Sequence, residues 1–134
     1  MKWIVWGAFN GAMAVALSAL SNHLPLAVGA QEKWVQSALE MHRFHALGLI
    51  AVGLIVHARP SRRGVHAAGV LMSAGLVLFC LNLYARSWWG LDTFRAAVPW
   101  GGMAFILGWA VMAAALIMFL NTVISSSVKC FTSP

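Results

Sequence analysis

A chain of 134 residues is long enough for one compact domain, but this one is 61% hydrophobic and only 9% charged, where a soluble domain carries about 25% charged residues. With a mean hydropathy of +0.81 it lacks the polar surface that covers a core in water, so its solvent is lipid. Nine Lys and Arg against three acids give a formal charge of +6, yet the bases lie singly or in one short cluster at the ends of apolar runs, a pattern that suits anionic headgroups and excludes a nucleic-acid surface.

The first apolar run, Trp3 to Leu20, holds 18 residues without a charge and can span the hydrocarbon core. It is longer than a signal-peptide apolar region of about 7–15 residues, so a retained helix over about 3–22 is expected. Gly7 and Gly11 give it a small-xxx-small packing face. Asn22, His23 and Pro25 end it. From Trp34, apolar and polar residues alternate at helical spacing, and the uncharged run after them, Phe44 to Val56, is short for a span at 13 residues. One continuous helix over 33–57 resolves this, because nothing within it breaks a helix.

Arg59, Pro60, Ser61, Arg62, Arg63 and Gly64 form a tight basic loop. A third helix is expected over 65–85, and then a connection over 86–99 whose Trp88 and Trp89 suit the headgroup level. The fourth helix is expected over 100–120, opened by Pro99 and given close-packing freedom by Gly101, Gly102 and Gly108. Residues 121–134 read as a serine-rich, frayed tail. The fold class is therefore all-α: an integral membrane, up-down-up-down four-helix bundle in a single domain. Lys2, Arg59, Arg62, Arg63 and Lys129 fall on one side and Lys33, Arg43, Arg86 and Arg95 on the other. The clustered side is the cytoplasmic one by the positive-inside rule, which puts both termini in the cytoplasm.

Ionisable groups within spans are candidates for function. His23 ends the first helix, and His42 and His45 lie three apart on one face of the second. Helix one ends, helix two begins and helix three ends on the same side, which sets His23, Glu40, His45, Asn82 and Tyr84 at a similar depth. These five form the candidate polar cluster, either a hydrogen-bond network fixing helix register or a ligand or proton site. Glu40 and Arg43, three apart, are spaced to form an ion pair. Cys80 and Cys130 have no partner at metal spacing. The sequence contains no nucleophile–base pattern, phosphate loop or metal cluster, so no enzyme, no cofactor and no resident metal are expected.

Four stretches in order carry a resemblance. Val35-Gln-Ser-Ala-Leu-Glu-Met-His-Arg-Phe-His45, Gly7-Ala-Phe-Asn-Gly11 through His23-Leu24, Leu78-Phe-Cys-Leu-Asn-Leu-Tyr84, and Pro99-Trp-Gly-Gly102 with Gly108-Trp109 together resemble the YgdD-like family. That family is also called domain of unknown function 423, and the animal transmembrane protein 256 is similar to it. Ser18, Ser21 and Asn22 stand where the family often has glycine, and Met41 where it often has tyrosine. The resemblance, over roughly residues 4–118, implies a four-helix inner-membrane protein of bacteria without a cleaved signal. It implies no activity.

Three functions are open, in this order. The first is a non-enzymatic accessory or assembly protein, whose partners are the lipid bilayer and a larger membrane complex or a second copy. The second is a small oligomeric transporter or channel, for which Glu40 is the one candidate membrane carboxylate. The third is a haem- or metal-binding membrane protein using His23 and His45.

Overall fold

The structure, a computed structural model, describes residues 1–23, 30–58 and 63–132. Helix α1 runs over Lys2–His23 and α2 over Ala30–Ala58. Helix α3 spans Arg63–Trp89, and a single 3-10 turn at Arg95–Ala97 leads into α4, Val98–Thr132. Among the described residues there is no strand. All four helices are long and apolar enough to cross a membrane, so the chain is an all-helical membrane bundle.

Helix α1 packs along α2, α3 packs along α4, and the two pairs join through α2 and α3. Half of the apolar stretch of α2 is buried, against 17% for α1 and for α4. The inner helices thus carry the core, around Leu39, Leu49, Val52, Met72 and Cys80, while α1 and α4 lay most of their surface against lipid.

Small residues set how close the pairs come. A Cβ on Gly7 would lie 2.8 Å from the carbonyl oxygen of Ala46 and from the backbone nitrogen of Ile50, and one on Gly53 would lie 2.6 Å from the nitrogen of Ile4. Between α3 and α4, a Cβ on Gly101 would lie 2.6 Å from the nitrogen of Phe79, and one on Gly108 would lie 3.0 Å from Cγ of Met72. Nothing lies within 4 Å of a Cβ placed on Gly11 or Gly102, so these two expected packing glycines border no neighbouring helix. The periodicity that pairs Gly7 with Gly11 defines a face, but α1 crosses α2 at Gly7.

Two boundaries differ most from expectation. Helix α3 continues to Trp89 because Gly90, at φ 66°, closes it in the left-handed conformation that glycine adopts without strain. Arg86 binds Asp92 at 2.6 Å beyond the helix end. The expected tail is helical through Thr132: no Gly or Pro lies between Trp109 and Thr132 to stop it. Within α3, Leu76–Leu81 is π-helical, a widened turn that often marks a functional position. It keeps Leu76, Cys80, Leu83 and Tyr84 on the buried side.

Candidate functional site

The polar residues inside the bundle are organised around His42, which the sequence sets beside His45 but does not single out. Its Nδ1 lies 3.3 Å from the Tyr84 hydroxyl on α3, and its Nε2 lies 3.2 Å from Oδ1 of Asn10 on α1. Asn10 in turn donates from Nδ2 to the carbonyl oxygen of Trp6 at 2.8 Å. That last bond fixes every direction. The Trp6 carbonyl only accepts, so the Asn10 nitrogen faces it and Oδ1 faces the histidine. Oδ1 only accepts, so His42 carries a proton on Nε2, and in the neutral imidazole Nδ1 accepts from the Tyr84 O–H. Three helices are thereby tied by one directed chain. Asn10, His42 and Tyr84 are all buried.

His45 lies three residues further along α2 in a different setting. Its ring stacks on Phe105 of α4, with centroids 3.5 Å apart and planes at 16°. Its Nδ1–H donates to the Met41 carbonyl oxygen at 2.7 Å. That leaves Nε2 an unprotonated acceptor, buried and without a partner. A histidine held on a backbone carbonyl through one nitrogen presents the other as a metal ligand does, but among the described residues no group of three His, Cys, Asp or Glu converges to hold a metal.

The five predicted cluster residues therefore do not form one site. Only Tyr84 joins the network, and its partner is His42 rather than His45. Asn82 donates to the Phe94 carbonyl oxygen at 2.6 Å and lines a separate cleft of about 370 Å³ with Val77, Leu81, Leu91 and Phe94. His23 and Glu40 are exposed. Glu40 and Arg43 are not within ion-pair distance; Arg43 instead reaches the Ser18 hydroxyl at 3.3 Å. Depth along a helix does not by itself fix azimuth. Three residues of helix turn a side chain by about 60° from its predecessor, enough to aim His42 at α1 and α3 and His45 at α4. The residue overlooked was Asn10. Its signal was present: an amide inside an otherwise apolar run must find a partner within the bundle.

A crevice of about 130 Å³ between α1 and α3 reaches this network. Asn10 and His42 line its depth, Leu76 and Val77 of the π-helical turn line one wall, and Phe9 and Leu81, themselves exposed, line its rim. Nearer their N-terminal ends α1 and α3 are tied by two tryptophans: Trp3 Nε1 donates to His66 Nδ1 and Trp6 Nε1 to the Ser73 hydroxyl, each at 3.0 Å.

Residues 12–102 match the family described as Protein of unknown function (DUF423). The chain is 35% identical over 121 residues to the UPF0382 membrane protein YwdK of Bacillus subtilis, covering 88% of this chain and 98% of that protein. It is 32% identical over 111 residues to the UPF0382 inner membrane protein YgdD of Escherichia coli, covering 81% and 84%. A UPF0382 membrane protein of Staphylococcus epidermidis is 32% identical over 125 residues, covering 87% and 96%. No solved structure matches the chain significantly.

Proposed function

The chain belongs to the DUF423 family of membrane proteins, and from that premise we propose that it is a non-enzymatic accessory or assembly protein of the bacterial inner membrane. The observation that carries this reading is the closed hydrogen-bond chain Tyr84–His42–Asn10–Trp6. Each polar group of it is engaged by another helix or by backbone, as in a device that fixes the register of three helices. A reaction centre would leave a base or nucleophile free to meet substrate. Glu40, the carboxylate of the transporter reading, lies on the outside of α2 rather than inside the bundle. Both termini lie in the cytoplasm in this reading, on the strength of the arginines at 59, 62 and 63.

Deleting the chain in its host and resolving inner-membrane complexes on native gels tests the proposal. The expected result is that one membrane complex falls in amount, is identified by mass spectrometry, and is restored by the wild-type chain but not by a His42→Ala variant. Unchanged complexes across the membrane overturn the accessory role. Alkaline-phosphatase fusions at Pro134 and at Ser61 are expected to be inactive; activity at either reverses the orientation.

A further inference from the structure

The outward face of α2 is polar where lipid should meet it. Lys33, Gln36, Glu40 and Arg43 succeed one another at helical spacing, and all four are exposed on the outside of the bundle. Glu32, Lys33, Gln36, Ser37 and Glu40 line one open depression there. Arg43 is the fourteenth of the 29 residues of α2. At a rise of about 1.5 Å per residue it lies roughly 20 Å from either end of the helix, at the head of the uncharged run Phe44 to Val56. A guanidinium on a lipid-facing helix surface is costly to leave without a partner of opposite charge. Among the described residues its one hydrogen-bonded neighbour is the neutral Ser18 hydroxyl. Below Arg43 the same face turns apolar, with exposed Phe44, Leu47 and Leu54.

We infer that this face is covered by α2 of a second copy of the chain. The charges single out that occupant, because the stripe is complementary to itself: Glu32 and Glu40 are matched by Lys33 and Arg43. Two copies inserted in the same orientation and related by a two-fold axis along the membrane normal set their α2 helices parallel at equal depth. Glu40 of one copy then meets Arg43 of the other across an offset of three residues, about 4.5 Å of rise, within reach of their long side chains. The symmetry forms that pair twice. Each carboxylate and guanidinium leaves lipid for a partner of opposite sign, and Leu47 and Leu54 of the two copies pack beneath them. This inference rests on the outer face of α2 and not on the accessory role; a chain that pairs with itself and alters no other complex satisfies the first and fails the second.

Oxidative cross-linking in bacterial inner membranes tests it, using the full-length chain with Cys130→Ser and the buried Cys80 retained. Leu47→Cys is expected to give a dimer of the chain, whereas the parent without it and Val15→Cys, on the exposed side of α1, give none. Glu40→Arg and Arg43→Glu, each added separately to Leu47→Cys, are expected to lower the cross-linked dimer at least fivefold. Two differently tagged chains, one carrying Glu40→Arg and the other Arg43→Glu, restore both opposite-sign pairs when co-expressed, and the mixed dimer is expected to return to at least half the yield of Leu47→Cys alone. A pair within one chain cannot give this rescue. Should a charge swap fail to accumulate in the membrane, Glu40→Gln and Arg43→Gln serve in its place and are each expected to lower the dimer. The inference is overturned by absence of a dimer in Leu47→Cys, by a cross-link to a different protein, by a dimer indifferent to these changes, or by failure of two well-inserted swaps to rescue one another.

Discussion

His42 and His45 sit three residues apart on one helix, both buried, and they do opposite work. His42 uses both ring nitrogens on groups from other helices; His45 uses one on the backbone of its own helix, leaves the other bare, and offers its ring to Phe105. In lipid the apolar surround gives helices little reason to associate, so specific bonds and close packing have to hold them. The region around His42 is held by directed bonds where α1 meets the inner helices, and the region around His45 by a flat aromatic stack where α4 meets α2. The lesson is that the polarity of a residue does not say what it contributes; the helix it faces does.

The largest expected effect breaks the His42 region sterically while leaving the stack alone. A Cβ on Gly7 would lie 2.8 Å from backbone atoms of Ala46 and Ile50, and backbone cannot swing aside. Gly7→Val is expected to push α1 off α2 one turn from Asn10 and to cost about 3 kcal/mol or more, at the upper end of overpacking effects. Gly11→Val, with nothing within 4 Å, is expected to change stability by less than about 0.5 kcal/mol, as an outward-facing substitution does. Thermal unfolding in mild detergent followed by circular dichroism compares the two. Equal losses would mean that α1 is not seated at Gly7, and the His42 bonds would lose their geometric basis.

The middle effect is chemical. His42→Ala removes two inter-helix bonds and leaves Asn10 Oδ1 and the Tyr84 hydroxyl to find other partners. At about 0.6 kcal/mol for an average membrane hydrogen bond, up to about 1.7, and with the ring volume lost as well, the expected cost is about 2 kcal/mol. A double-mutant cycle with Asn10→Ala checks its origin: coupling near zero would show that the two residues stabilise the bundle separately.

How much of this the sequence made legible obeys the same division. The four spans could be read because each depends on one-dimensional signals: apolar runs, extended in the second helix by an amphipathic pattern, and Pro25, the 59–64 loop and Pro99 at their boundaries. The family was readable from four short motifs. The site was not, because depth along a helix can be counted and azimuth cannot without knowing which neighbour lies where. Glu40 faces outward and Asn82 bonds the turn before α4. The π-helical turn at Leu76–Leu81 adds a residue to its turn and rotates the rest of α3, and no Gly or Pro within those six residues announces it. Past Tyr84, α3 runs on to the Gly90 cap, and there Arg86 lies 4.0 Å over the Trp34 ring and binds Asp92; these partners come from α2 and from the loop ahead.

The smallest expected effect sharpens the comparison most, because it asks whether the polarity of His45 matters at all. Phenylalanine at this position keeps a flat ring against Phe105 and beside Phe44, whose ring meets that of His45 edge-on at 5.3 Å. It gives up the Nδ1–H bond to Met41, but that carbonyl lies within a continuous helix and retains its main-chain partner. It also removes Nε2, a buried acceptor with no donor, and an unmet buried polar group carries a penalty of about 1–3 kcal/mol. Loss and gain nearly cancel, so His45→Phe is expected to unfold within about 0.5 kcal/mol of the wild type, or slightly above it, and to leave visible absorbance and metal content unchanged. His42→Phe in the same assay is expected to lose most of what His42→Ala loses, since a phenyl ring restores neither bond. A drop for His45→Phe as deep as that for His42→Ala would mean that Nε2 is engaged after all. If a metal or a visible chromophore departs with it, the bare nitrogen is a ligand position, and the two histidines differ in what they bind rather than in whether they bind.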